Sequence, residues 1–236
     1  MFEEKEVKNM SEFEKYGFVE KQLTVDDGEL SLINKQSLRK LSLDEVYAFR
    51  FVGCNTKVDR DHEHFTPAAL GKLAQLSVGR PVLRDHRWSS DSQTARIYAS
   101  AVEPVGNEEK LVLRAFMVRN AVTEPTIQAI DAGILREISV GCGCGSAICS
   151  ICGTDKAKTY CEHIPGRKYK EKLCTVALDD VRDAYEFSFV AVPAQKGAGT
   201  VKAYGGEDNK PQPVPPAETE EVKKELELLA LEKNRF

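Results

Sequence analysis

Arg136-Glu137-Ile138-Ser139-Val140-Gly141 reads as a short β-strand in which Ile138 and Val140 share one face and the Ser139 hydroxyl occupies the other, because strand side chains alternate. A serine followed at short range by glycine on such a strand is open to a substrate. Serine becomes a useful nucleophile only when an imidazole takes its proton, and the imidazole needs a third group to fix its tautomer. His86 stands just after the strand-like Pro81-Val82-Leu83, and Glu186 lies within a strand-like run from Tyr185 to Val192 that stops at Pro193. These two can fill the remaining roles. Asp85, Asp180 and Asp183 compete with Glu186, and His62 and His64 compete with His86. Those two histidines sit in Asp59-Arg60-Asp61-His62-Glu63-His64-Phe65, which reads as a solvated loop ahead of a helix cap.

Outward from that strand, Val46 to Val52 has the β-branched and aromatic content of a buried strand. Thr66-Pro67 opens a helix running to about Leu76, with Thr66 as N-cap and Pro67 in the first helical position. Thr94 to Val102 and Leu111 to Val118 form two strands joined by a turn at Gly106-Asn107. Ile127, Ile130 and Ile134 are spaced as one face of a helix that precedes the serine strand. Residues 1–22 read as a mobile charged arm and 23–204 as one domain. Residues 205–217 form a Pro-rich linker, and 218–236 an amphipathic tail helix striped by Val222, Leu226, Leu229 and Ala230.

The chain has 236 residues, 42% hydrophobic and 30% charged, with a formal net charge of -4. That supports one proper core and gives no reason to expect nucleic acid or an anionic membrane as a direct partner. No stretch approaches the roughly 20 apolar residues of a membrane span. The charged start Met1-Phe2-Glu3-Glu4-Lys5 is no secretory signal, so the expected compartment is a cytoplasm. All seven cysteines except Cys54 fall from Cys142 to Cys174, and such clustering favours metal over disulfides. Cys149-Ser150-Ile151-Cys152-Gly153 is a knuckle that turns two thiols toward one ion. Cys161 and His163, two apart on extended chain, add two more ligands on one side. The set Cys149, Cys152, Cys161 and His163 suits a closed, structural zinc site within a 142–174 insertion. Cys142 or Cys144 could replace one ligand, whereas Cys54 and Cys174 read as lone buried thiols.

Gly79-Arg80-Pro81-Val82-Leu83 with Asp85-His86, then Glu137-Ile138-Ser139-Val140-Gly141, then Tyr185-Glu186-Phe187-Ser188-Phe189-Val190 ending in Pro193-Ala194, resemble the successive signatures of the tailed-phage prohead proteases. These are serine proteases of capsid maturation, related in fold to herpesvirus assemblin. The resemblance covers about two thirds of the chain, from Val46 to Gly199. It implies an α+β fold with a β-barrel-like core and flanking helices, catalytic His86, Ser139 and Glu186, and an oxyanion hole near Ala194 and Gln195. Implied substrates are the major capsid protein and scaffold segments, with a second copy of the chain as a further partner. The implied location is the host cytoplasm, inside the assembling procapsid. The family's link between serine and glutamate strands is much shorter, so the cysteine-rich region is a departure. An alternative of a different class is a non-catalytic assembly or scaffold protein that docks through its zinc module and tail helix.

Overall fold

The computed structural model describes residues 25–195 and the backbone of 199–200. The charged arm, the Pro-rich linker and the tail helix lie outside them. In chain order the elements are α1 (Asp27–Asn34), β1 (Val46–Asn55), β2 (Glu63–Phe65), α2 (Pro67–Ser77), β3 (Pro81–Arg84), β4 (Ala95–Val105), β5 (Glu108–Val118), α3 (Glu124–Asp131), β6 (Ile138–Cys149), β7 (Lys168–Tyr169), β8 (Lys172–Leu173), β9 (Val176–Phe189) and β10 (Gly199–Thr200). The fold is α+β with a core made mostly of sheet. Among the described residues, no helix is long and apolar enough to cross a membrane.

β1 is the expected strand, extended to Asn55, and all but one of its residues are buried. Alternation sends Tyr47, Phe49 and Phe51 into the main core with Phe187 and Phe189 of β9. Val46 and Ala48 enter a second cluster with Ile33 of α1, Leu41, Tyr98 and Phe116. A strand covered on both faces needs apolar residues at every position, and α1 provides the second cover. The sequence reading had no helix there. α1 is held by the Asp26 side chain, which accepts from the Glu29 amide at 2.7 Å, and by the ion pair of Glu29 with Arg114.

β4 and β5 form the expected hairpin, longer than read, with Val105 opposite Glu108. Gly106, at φ 62°, takes the first of two loop positions, where a tight hairpin turn needs a positive φ. α2 begins as expected: Thr66 Oγ1 accepts from the Ala69 amide at 3.1 Å, and Leu70 and Leu73 are fully buried.

Three expectations need correction. The strands do not close into a barrel: the order is β10-β1-β5-β4-β3-β9-β2, with β6 pairing only β9. No ladder joins β6 to β1 or β10 among the described residues. The predicted Ile127–Ile130–Ile134 face also stops short. Ile127 and Ile130 are buried, but α3 ends at Asp131 and Ile134 is 73% exposed. Gly133 at φ 72° ends the helix in a Schellman motif, with the Ile134 amide on the Ala129 carbonyl and the Gly133 amide on Ile130. Gly133→Ala is expected to cost about 1 kcal/mol, because a Cβ opposes the left-handed conformation; a shift in the denaturant midpoint measures it. Lastly, Glu63–Phe65 is not a solvated loop but β2, paired in parallel with Val176–Leu178 of β9.

β6 and β9 form one long antiparallel ribbon from Ile138↔Phe189 to Cys149↔Val176. Residues 142–149, read from sequence as part of the insertion, continue this ribbon. Cys142 and Cys144 pack against the main core.

Candidate active site and metal cluster

β3 pairs in parallel with the end of β9, Arg84 opposite Phe189. Immediately beyond, the chain reverses through Arg84–Arg87, with the Arg87 amide on the Arg84 carbonyl at 3.0 Å. Both central residues, Asp85 (φ 53°) and His86 (φ 52°), are left-handed, as a type I′ turn requires. Aspartate tolerates this region well; a histidine there is uncommon. Strained residues of this kind collect at functional sites. The turn is fastened to β9 at two points: the Asp85 amide donates to the Phe189 carbonyl at 2.9 Å, and the His86 amide to Ser188 Oγ at 3.1 Å.

This turn aims the imidazole at β9. His86 Nδ1 lies 2.7 Å from Glu186 Oε1. The carboxylate is only 2% exposed, while the imidazole is 41% exposed. Glu186 Oε2 accepts from Ser188 Oγ at 2.5 Å, so both carboxylate oxygens are engaged by named donors. Burying a carboxylate costs several kcal/mol unless it is compensated in this way. With Glu186 accepting from Nδ1–H, Nε2 is left as the basic nitrogen. Gly141, opposite Glu186 in register, makes room for it: a Cβ at 141 would stand 2.2 Å from Glu186 Oε1.

Ser139 faces Ser188 in the same ribbon, so alternation puts it on the face that carries Glu186. Its hydroxyl makes no hydrogen bond among the described residues, to His86 or otherwise. Of the three residues singled out from sequence, His86 and Glu186 are thus in contact, and Ser139, paired with Ser188, stands two register pairs along from Gly141↔Glu186. Of the alternatives, Asp183 pairs with Arg80 at 2.7 Å and Asp180 with Arg182 at 3.1 Å, Asp85 shares the turn with His86, and His64 Nδ1 is buried without a hydrogen-bond partner among the described residues. His62 packs against Gly166.

Ser188 was missed. Its signal was its place two residues after Glu186, which in a strand gives both side chains one face. Gly141 also carried a signal, since a glycine inside a strand often marks close approach of another group. Gln195 is buried, and its side chain is used on β1: Oε1 accepts from the Asn55 amide at 2.6 Å and Nε2 donates to the Asn55 carbonyl at 3.0 Å. The Ala194 carbonyl accepts from the Arg60 amide at 3.1 Å. The backbone amides of Ala194 and Gln195 donate to nothing among the described residues.

At the far end of the ribbon, Cys149, Cys152, Cys161 and His163 bring four ligand atoms within 4.8 Å of one another, a set that could hold a metal ion. Cys152 Sγ and Cys161 Sγ are 3.5 Å apart, as are Cys161 Sγ and His163 Nδ1. Gly153, at φ 74°, completes the knuckle, its amide on the Cys149 carbonyl at 2.9 Å. Burial opposes ionisation of Cys149, but the amides of Cys152 and Ile151 and the neighbouring thiols outweigh it and bring the thiol down to about 7. Lys156 Nζ donates to the His163 carbonyl at 2.7 Å, and the Tyr169 ring meets the imidazole edge-on at 4.5 Å. Cys174 is not the lone thiol expected: its Sγ lies 3.9 Å from that of Cys149. Cys54 is fully buried, which pushes its thiol up.

No family model, curated protein or solved structure matches the chain.

Proposed function

We propose that the chain is a serine endopeptidase in which Ser139 is the nucleophile, His86 the general base and Glu186 the group that orients the imidazole. The observation that carries this is the buried Glu186 carboxylate held 2.7 Å from His86 Nδ1 on the face that bears Ser139. His86 Nε2 takes the Ser139 proton as the hydroxyl attacks the scissile carbonyl, and the same proton then passes to the leaving amine. Water releases the acyl-enzyme by the reverse roles. The Ala194 and Gln195 amides are the proposed donors to the oxyanion, a contribution often worth several kcal/mol. Hydrogen bonds in a site without substrate are often open and close only in the complex, which accommodates the unbonded Ser139 hydroxyl.

The order of the Asp85-His86, Ile138-Ser139-Val140-Gly141 and Tyr185-Glu186 motifs supports a role in phage procapsid maturation. There the substrates are major capsid protein and scaffold segments, and the chain's own ends. Labelling with a small fluorophosphonate tests the chemistry, because only an activated serine reacts. Adduct on Ser139 is the expected result; an unlabelled protein overturns the proposal.

The metal we propose is zinc, held by Cys149, Cys152, Cys161 and His163. Ligands at 2.0–2.3 Å around a tetrahedral ion stand about 3.3–3.8 Å apart, which the 3.5 Å separations match. Three thiols and an imidazole leave no open position, so the ion supplies folding energy to residues 150–175 and no chemistry. One zinc per chain is expected by elemental analysis. Chelation should raise hydrogen exchange across 150–175; loss of labelling with that segment still folded would instead point to a catalytic metal.

A further inference from the structure

Trp88, the only tryptophan in the chain, is 73% exposed. Its ring leans on that of the half-exposed Tyr185, with centroids 5.4 Å apart at 55°. Both are presented by particular backbone features. The β6–β9 register jumps from Gly141↔Glu186 to Cys142↔Ala184, leaving Tyr185 as the extra residue of a bulge. Bulges re-aim side chains next to active sites. A Cβ at Gly143 would stand 2.7 Å from Tyr185 Oη, so Gly143 bears Tyr185 as Gly141 bears Glu186. Trp88 lies two residues beyond His86, in a segment closed by Ser92 Oγ, which donates to the Arg87 and Ser89 carbonyls.

Large aromatic rings left in water beside a reactive site mark a place for an apolar ligand group. Resting on the peptidase proposal, we infer that Trp88 and Tyr185 form a substrate subsite that takes an apolar side chain of an extended peptide. Ser139, Gly141 and Gly143 follow at two-residue steps along one strand face. At about 3.3 Å per residue, Gly143 is roughly 13 Å along the strand from Ser139. Between them the strand raises no side chain of its own. A peptide lying extended along it, with its reacting carbonyl at Ser139, brings a residue about four positions away over the aromatic pair. Asp183, which faces Gly143 in register, is already paired with Arg80, so apolar contact rather than charge makes the selection.

The test digests a library of proteome-derived peptides with the full chain and aligns the products on their cut bonds. Leu, Ile, Phe or Met should be enriched about tenfold at one position three to five residues from the cut. Trp88→Ala should lose that enrichment and Trp88→Phe should keep it. The emission of Trp88 should also shift to the blue when a peptide with the favoured residue binds the Ser139→Ala protein. No apolar preference at that distance, or one unchanged in Trp88→Ala, overturns the subsite while Ser139 labelling by fluorophosphonate leaves the peptidase standing. Failure of that labelling overturns both.

Discussion

Ser139→Ala is expected to abolish fluorophosphonate labelling and to cut peptidase activity by a factor of at least about 10⁴, the scale on which loss of a nucleophile acts in such sites. The stability change should stay within about 0.5 kcal/mol, because the hydroxyl makes no hydrogen bond among the described residues and its removal leaves no buried partner unpaired. The two results together separate a chemical role from a structural one. Coexpression with capsid protein, read by mass spectrometry of the fragments, should show wild-type cleavage and none with the variant. Unchanged processing in Ser139→Ala would reject the proposed nucleophile outright, and the non-catalytic assembly alternative would then be the better account.

Gly141→Ala should damage both stability and activity. The added methyl would stand 2.2 Å from Glu186 Oε1 and 3.1 Å from Cδ, so the carboxylate must move. The end of an exposed glutamate moves easily. Here the carboxylate is 2% exposed and fixed by His86 and Ser188, so displacement strips a buried charge of its donors. A destabilisation of about 1–3 kcal/mol follows from the crowding, and loss of tautomer control costs turnover by a factor of up to about 10⁴. Chemical denaturation and kcat measured on the same preparation check both. An alanine variant with wild-type kcat would show that the Glu186–His86 contact does not govern the reaction.

How far the chain could be read from its sequence depended on how local the cause was. β1, the Thr66–Pro67 helix start and the β4–β5 turn have signals within a few residues, and the sequence reading found all three. The knuckle spacing likewise singled out the four residues whose ligand atoms lie together. His86 and Glu186 lie one hundred residues apart; strand patterns and the family resemblance brought them together, and the left-handed turn at Asp85-His86 supplies the mechanism. What escaped notice depends on strand pairing or on very short elements. α1 spans only eight residues, too few for periodicity to stand out. The failure to close a barrel is decided by which strand edges meet, and no residue type encodes that. Ile134 fitted the helical spacing, but the Gly133 cap overrode it. Cys174 looked solitary because its neighbour Cys149 is brought alongside by the β6–β9 pairing rather than by sequence proximity.

That pairing has a further consequence at its distal rung. Cys149 and Val176 face each other in register, so the stretch of 150–175 leaves and re-enters the body at adjacent points. Such a stretch is joined like a graft: a change in its length need not slip either strand beneath it. The other end of the ribbon, eleven residues back at Ile138 beside Ser139, is thereby set apart from changes at the tip. The cysteine-rich appendage is therefore joined to this scaffold in a way that leaves the placing of Ser139, His86 and Glu186 independent of it.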